Sequence, residues 1–278
     1  MSSVKLVAEI GINHNGNMAY VKKMIEIAAD AGFDYVKFQK RNVEKTTPTN
    51  KWDVPKDTPW GTLKYIDYKR KLEEVDYDMV EILCGENKIG WFGSPWDVDS
   101  VEYLASYMPE YIKVASALVT DYDVLQAIKE THIPVIISTG MSSKEEIEKA
   151  LLILEPNQVK YILACTATYP SANEEMNLSF IQTLAKQYPY HKIGFSNHHP
   201  GVFFAAASVM YGAEMVEVHV TLDRSMFGSD QAASLEPEGQ FKLCKYVRDL
   251  QVAIGNGDWV VWDSEEPVKR NLRWKDYK

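Results

Sequence analysis

The chain has 278 residues, 46% hydrophobic and 25% charged, a globular composition that excludes disordered and collagen-like chains. Thirty Lys and Arg against 39 Asp and Glu give a net charge of −9, which repels nucleic acid and anionic lipid as a whole but leaves room for a local basic pocket that takes a small anion. The longest apolar stretch, Val202–Ala213, is too short to cross a bilayer, Glu9 interrupts the apolar run near the start so that no signal peptide is expected, and Cys84, Cys165 and Cys244 lack a CxxC spacing and fit a reducing cytoplasm.

Short β-rich runs recur in chain order at Val4–Ile10, Tyr35–Gln39, Ile89–Gly93, Tyr111–Ala115, Val135–Ser138, Val159–Ala164, Ile193–Phe195 and Met215–Val220. Their spacing averages about 30 residues, the length of one strand-plus-helix unit. Helical stripes lie between them: Val21, Met24, Ile25 and Ala28, then Ile147, Ala150, Leu151 and Leu154 behind a Ser143–Glu146 capping box, and finally Leu243, Val247, Leu250 and Ile254. Alternating strands and helices mean a parallel sheet, and eight units predict a closed (β/α)8 barrel, a fold that reaches about 250 residues as one domain. The alternative is an open doubly wound sheet, but Gly11–Gly16 does not fit the glycine-rich phosphate turn expected after its first strand. The expected organisation is one domain over 1–278, with 41–74 a long βα loop and 256–278 a C-terminal tail. A long βα loop lies at the catalytic mouth of a barrel, so Arg41–Glu74, carrying Trp52 and Trp60, is a candidate lid.

Barrel chemistry sits at the C-terminal ends of the strands. Taken in order, those ends supply Glu9, Asn13 and His14; Lys37 and Gln39; Ser94; Lys113 and Ser116; Ser138 and Thr139; Thr166 and Tyr169; Ser196, Asn197, His198 and His199; and Glu217 and His219, with Asp223 and Asp230 beyond. Lysines within apolar strands are informative because an unpaired buried ammonium is costly. Lys37 and Lys113 with a ring of hydroxyls suit a phosphorylated anion. His198 and His219 end adjacent strands, where two imidazoles can share a divalent cation. His132 and His191 precede strands and read as structural, His14 reads equally as a turn residue or a ligand, and His199 is expected to point away from His198.

In combination, the motifs Ala-Glu9-Ile-Gly-Ile-Asn-His-Asn-Gly16, Val-Lys37-Phe-Gln39, Ser-Thr-Gly-Met141, Tyr169-Pro170, Gly-Phe-Ser196-Asn-His198 and Glu217-Val-His219 followed by Gly-Ser-Asp230 resemble the N-acetylneuraminate (sialic acid) synthase family from about Leu6 to Leu272. The resemblance implies a (β/α)8 barrel that condenses phosphoenolpyruvate with an open-chain aldose, N-acetylmannosamine or a related hexose, releasing phosphate and a 2-keto-3-deoxy sugar acid. It implies that Lys37, Ser94, Lys113, Ser116, Ser138 and Ser196 hold phosphoenolpyruvate, that Gln39, Tyr169 and Asp230 contact the acceptor, and that His198 and His219 hold a divalent metal, manganese being expected with magnesium or cobalt as alternatives. Glu9, His198 and His219 are then the catalytic set. A cytoplasmic homodimer without nucleic-acid or membrane partners is expected.

Two residues depart from the family pattern, Leu118 where Glu is common and Ala167 where Asn is common, both on the acceptor side. Many members carry a further C-terminal antifreeze-like domain, whereas this sequence stops at Lys278. Reduced discrimination between N-acylated and other hexoses is the expectation from these departures. Two rivals stay open at this level: a metal-dependent sugar isomerase or aldolase on the same barrel, and a noncatalytic sugar- or anion-binding relic.

Overall fold

Val21, Met24, Ile25 and Ala28 are all buried on helix Met18–Ala31, which Asn17 caps at its start and the left-handed Gly32 ends. The Ser143–Glu146 capping box forms as expected and starts helix Lys144–Ile153. The last long helix, Pro237–Ala253, buries Leu243 and Val247 but stops one residue short of Ile254. These stripes pack on a sheet whose strands carry the complementary period of two.

The computed structural model describes residues 3–155 and 157–277. Met1, Ser2, Pro156 and Lys278, which the expected 1–278 span includes, lie outside them. The strands are β1 (Lys5–Gly11), β2 (Tyr35–Lys40), β3 (Pro55–Thr58), β4 (Gly61–Lys64), β5 (Gly90–Pro95), β6 (Ile112–Val114), β7 (Val135–Ser138), β8 (Val159–Cys165), β9 (Lys192–Asn197) and β10 (Met215–His219). Eight of them close a parallel barrel in the order β1-β10-β9-β8-β7-β6-β5-β2, so the fold is a (β/α)8 barrel. β3 and β4 form a separate antiparallel hairpin within the segment between β2 and β5. That segment, expected as a loop, also contains helices Val43–Thr46 and Tyr65–Leu72. No helix among the described residues is long and apolar enough to cross a membrane.

Alternation divides the barrel strands cleanly. Leu6, Ala8 and Ile10 of β1, Val36 and Phe38 of β2, and Val216 and Val218 of β10 belong to the main core. The opposite face supplies Val7, Tyr35, Phe92, Ile136, Tyr161, Leu163 and Met215, a second cluster that fills the barrel interior. Further along the same interior face, each strand turns polar: Glu9 follows Val7, Lys37 follows Tyr35, Ser94 follows Phe92, Ser138 follows Ile136, and Glu217 follows Met215. The apolar plug thus forms the floor beneath the site.

Packing in that plug leaves no room for one more carbon at Gly194. A Cβ there would meet Leu163 Cδ2 at 2.5 Å and the Met215 carbonyl oxygen at 2.6 Å, and the carbonyl belongs to a strand that cannot swing aside. Gly194→Ala should therefore lower unfolding free energy by about 1–3 kcal/mol. Urea denaturation checks this; an unchanged midpoint would mean the plug yields freely.

Candidate active site

The pairing register brings the polar ends of the strands into one ring. Glu9 lies level with His219 on one side and Lys37 on the other, Glu217 lies level with Ser196, and Gln39 with Ser94. At the end of β1 the ladder slips between Glu9 and Gly11. Gly11 has a φ of +54°, and a Cβ there would come within 3.0 Å of Glu9 Oε1 and 3.1 Å of Gln39 Nε2. Only glycine suits this corner, where the chain must turn sharply against the side chains of Glu9 and Gln39.

Two lysines and two glutamates lie buried in the floor of the mouth. Lys37 Nζ is 3.2 Å from Glu9 Oε2 and 3.4 Å from Glu217 Oε2, and it donates to Ser94 Oγ at 3.2 Å. Lys113 Nζ donates to Ser138 Oγ at 2.7 Å and stands 3.6 Å from Glu217 Oε1, which also accepts from Ser196 Oγ at 3.0 Å. Burial alone would depress Lys37, but Glu217 and Glu9 more than reverse it, so its pKa is raised. For Lys113 burial wins over Glu217, and repulsion from Lys37 adds to it, so its pKa is lowered. Lys113 is therefore the less compensated cation, and an anion beside it would restore the balance. Burial would raise both carboxylates. It does so for Glu9, whereas Lys113 and Lys37 hold Glu217 down to about 2.

Above this floor stand the imidazoles, with ring centroids 5.3 Å apart. His198 Nδ1 donates to the Thr166 carbonyl at 2.6 Å, which leaves Nε2 as the lone-pair nitrogen of the neutral ring, 2.8 Å from the Tyr169 hydroxyl. Burial opposes charge on His198, yet the Cys165 thiol at 3.9 Å and the Thr166 carbonyl raise its pKa. Burial pulls His219 to about 3, so it is neutral near pH 7, and its buried Nδ1 has no hydrogen-bond partner. The nearest carboxylate oxygen, Asp230 Oδ2, is 3.8 Å away.

The ring encloses a cavity of about 130 Å³ whose wall includes Glu9, Lys37, Gln39, Ser94, Lys113, Ser116, Ser138, Tyr169, Ser196, His198 and His219. Asp230 stands behind His219 and not on that wall. Glu217, named from the sequence without a role, proves to be the carboxylate between both lysines. Its position two residues before His219 puts it on the same interior face, and that spacing was the available signal. Cys165, Trp96, Met141 and Ala167 also line the wall. Leu118, expected beside the acceptor, packs into the main core, and Ala117 faces the cavity in its place. His14 is buried with Nδ1 accepting from Gly16 N, His199 bonds Asn173, and Thr139 bonds the Leu163 carbonyl, so all three serve local structure.

The hairpin leans over one side of the mouth. Its tip residue Trp60 and Tyr68 of the next helix pack edge-on against Phe227, at 6.3 and 5.9 Å, on the loop that carries Asp230.

A closed barrel with its polar groups gathered at the C-terminal strand ends, over an apolar plug, is the arrangement of a barrel enzyme. The chain belongs to the NeuB family, whose sequence model it matches over residues 24–259. It is 35% identical to the N,N'-diacetyllegionaminic acid synthase of Campylobacter jejuni over 92% of this chain and 79% of that protein. It is 33% identical to the N-acetylneuraminate-9-phosphate synthase of Homo sapiens, over 90% and 71% respectively. Among solved structures, the N-acetylneuraminic acid synthetase of Leptospira borgpetersenii in complex with citrate superposes with a TM-score of 0.83 at 29% identity, covering 99% of this chain and 92% of that one.

Replacing Glu217 removes the carboxylate shared by both lysines and leaves two buried ammoniums against Glu9 alone. Glu217→Gln should lower unfolding free energy by about 3–5 kcal/mol and tighten binding of inorganic sulfate. Denaturation and calorimetry check the two effects; a variant as stable as the parent would remove Glu217 from the centre of the cluster.

Proposed function

We propose that this protein condenses phosphoenolpyruvate with an open-chain N-acylated hexosamine to give a 2-keto-3-deoxy sugar acid and phosphate. The observation that carries the reading is Lys113, a buried cation with incomplete compensation, facing the same small cavity as a pair of imidazoles. Membership of a family whose relatives are named as sugar acid synthases supports it. The three free cysteines fit a cytoplasmic setting.

The residues divide the work by depth. Lys37 and Lys113, with Ser94, Ser116, Ser138 and Ser196, bind the phosphate and carboxylate of phosphoenolpyruvate by charge-assisted hydrogen bonds. Gln39 and Tyr169 orient the acceptor above it, with Asp230 behind. C3 of the enol phosphate attacks the aldehyde carbon, water adds at C2, and the C2–O bond breaks to release phosphate. Lys113 stabilises the departing phosphate oxygen. Glu9, raised by burial and joined to Gln39 and Lys37, relays one proton from the attacking water to the aldehyde oxygen; the second proton leaves the C2 hydroxyl as the ketone forms and departs with the phosphate, so atoms and charge balance.

His198 and His219 fit a divalent cation. Thr166 fixes the His198 tautomer, His219 is neutral with a buried unpartnered nitrogen, and both rings face one cavity. These two would hold manganese, or magnesium or cobalt; among the described residues no group of three or more His, Cys, Asp or Glu is placed to hold a metal ion. When bound, such an ion supplies Lewis-acid polarisation of the acceptor aldehyde.

The test is incubation with phosphoenolpyruvate, manganese and a panel of hexosamines, read by phosphate release and product mass. Sugar-dependent phosphate release with a product of the condensed mass is expected. Lys113→Ala should raise KM for phosphoenolpyruvate roughly 10- to 150-fold while leaving KM for the sugar nearly unchanged. Sugar interconversion without phosphate release would instead identify an isomerase and overturn the reading.

A further inference from the structure

The apolar plug that floors the mouth has a second surface at the opposite end of the barrel, where the strands begin. A cavity of about 350 Å³ opens there, at the starts of β8 and β9 and beside Tyr111, which precedes β6. It is larger than the cavity at the mouth and within the range of small-molecule sites. The proposed reaction uses none of its residues.

Its inner wall is phenolic. The Tyr111 ring meets Tyr161 at 6.0 Å and Tyr35 at 5.8 Å, crossed at 79° and 80°, an arrangement that leaves no slot between two parallel faces. The Tyr35 hydroxyl donates to Glu110 Oε2 at 2.7 Å, and Tyr111 bonds the same carboxylate. A carboxylate offers about four acceptor positions, so Glu110, on the cavity wall, keeps capacity for further donors. Tyr161 is only 4% exposed, yet its hydroxyl has no hydrogen-bond partner among the described residues. A phenol at that depth ordinarily finds one.

The outer wall is cationic and aromatic. Lys192 Nζ lies 5.5 Å over the Tyr161 ring and 3.8 Å from Glu214. Lys160 Nζ donates to the neutral Asn157 carbonyl at 2.7 Å and has no carboxylate within ion-pair distance among the described residues. Tyr190 is 97% exposed, so its ring stands in water at the cavity edge.

Each feature narrows the ligand. An aromatic platform beside hydrogen-bonding groups suits a pyranose, whose apolar C–H face stacks on a ring while its hydroxyls point sideways. Glu110 accepts from hydroxyls but repels a phosphate, and the crossed rings give a flat base nothing to slide between. A bare inorganic anion would leave Tyr161 and Tyr190 unused. The uncompensated Lys160, with Lys192 beside it, calls for one negative charge. We propose that this cavity binds an acidic monosaccharide, a pyranose carrying one carboxylate. The carboxylate lies on Lys160 and Lys192, hydroxyls bond Glu110 and Tyr161, and the C–H face covers Tyr190. The site stands apart from the mouth and does not depend on the reaction proposed there.

Calorimetric titration of the full chain with glucuronate and with N-acetylneuraminate tests this, with glucose as the uncharged control. One of the acids should bind, glucose should bind at least about tenfold more weakly, and the tighter acid tells a uronic acid from a 2-keto sugar acid as the source. Tyr190→Ala and Lys160→Gln alter exposed side chains, and Tyr161→Phe removes only the unpartnered hydroxyl, so all three should unfold at the urea midpoint of the parent. Each should weaken binding of the acid about 3- to 10-fold. Acid binding that all three leave unchanged would place the ligand elsewhere and overturn the proposal. Glucose bound as tightly as the acids would overturn it too, as would a parent that binds neither acid.

Discussion

Everything at the mouth of this barrel depends on two ammoniums held out of water. Lys37 and Lys113 are nearly as buried as the aliphatic side chains beneath them, and isolated ions at that depth would be driven to neutrality. Glu217 prevents this by standing 3.4 Å from one and 3.6 Å from the other, and Glu9 adds a second partner for Lys37 only. The asymmetry has a consequence for ligand choice. An arriving anion gains most beside Lys113, where Ser138 already supplies an oriented hydroxyl and Ser116 lines the same wall. Under the proposed reading, the cluster trades stability for an anion site assembled before the ligand arrives.

The same alternation that builds the core builds the site. Along β2, the interior face reads Tyr35, Lys37 and Gln39, passing from apolar plug to floor and wall in two-residue steps. β10 repeats the gradient with Met215, Glu217 and His219. Tyr35, Phe92, Ile136, Tyr161 and Leu163 fill the plug below, so the polar layer rests on a buried apolar floor. The hairpin β3–β4 and the helix after it pack against Phe227, on the loop that carries Asp230.

Strand positions were legible because burial on both faces produces short continuous β-rich runs, and each of the eight runs overlaps a barrel strand. The strand-end residues followed, since a parallel barrel puts every C-terminal end on one side. What escaped reading was local. The hairpin β3–β4 is exposed on both faces, so its sequence shows no alternation, and helix Tyr65–Leu72 is so rich in charge that its buried Ile66, Tyr68 and Leu72 do not stand out. Leu118 was assigned to the acceptor side by resemblance, but a short 3-10 turn at Ser116–Leu118 rotates it into the core. Glu217 was visible yet without a role, because its meaning lies in two lysines far away in sequence.

The most direct test of the account is a crystal structure of the protein with phosphoenolpyruvate. The account predicts phosphate oxygens within hydrogen-bond distance of Lys113 Nζ and the Ser138 and Ser116 hydroxyls, with C3 directed toward His198 and His219. Phosphoenolpyruvate seated away from the barrel mouth, with Lys113 still engaged only by Ser138 and Glu217, would contradict it.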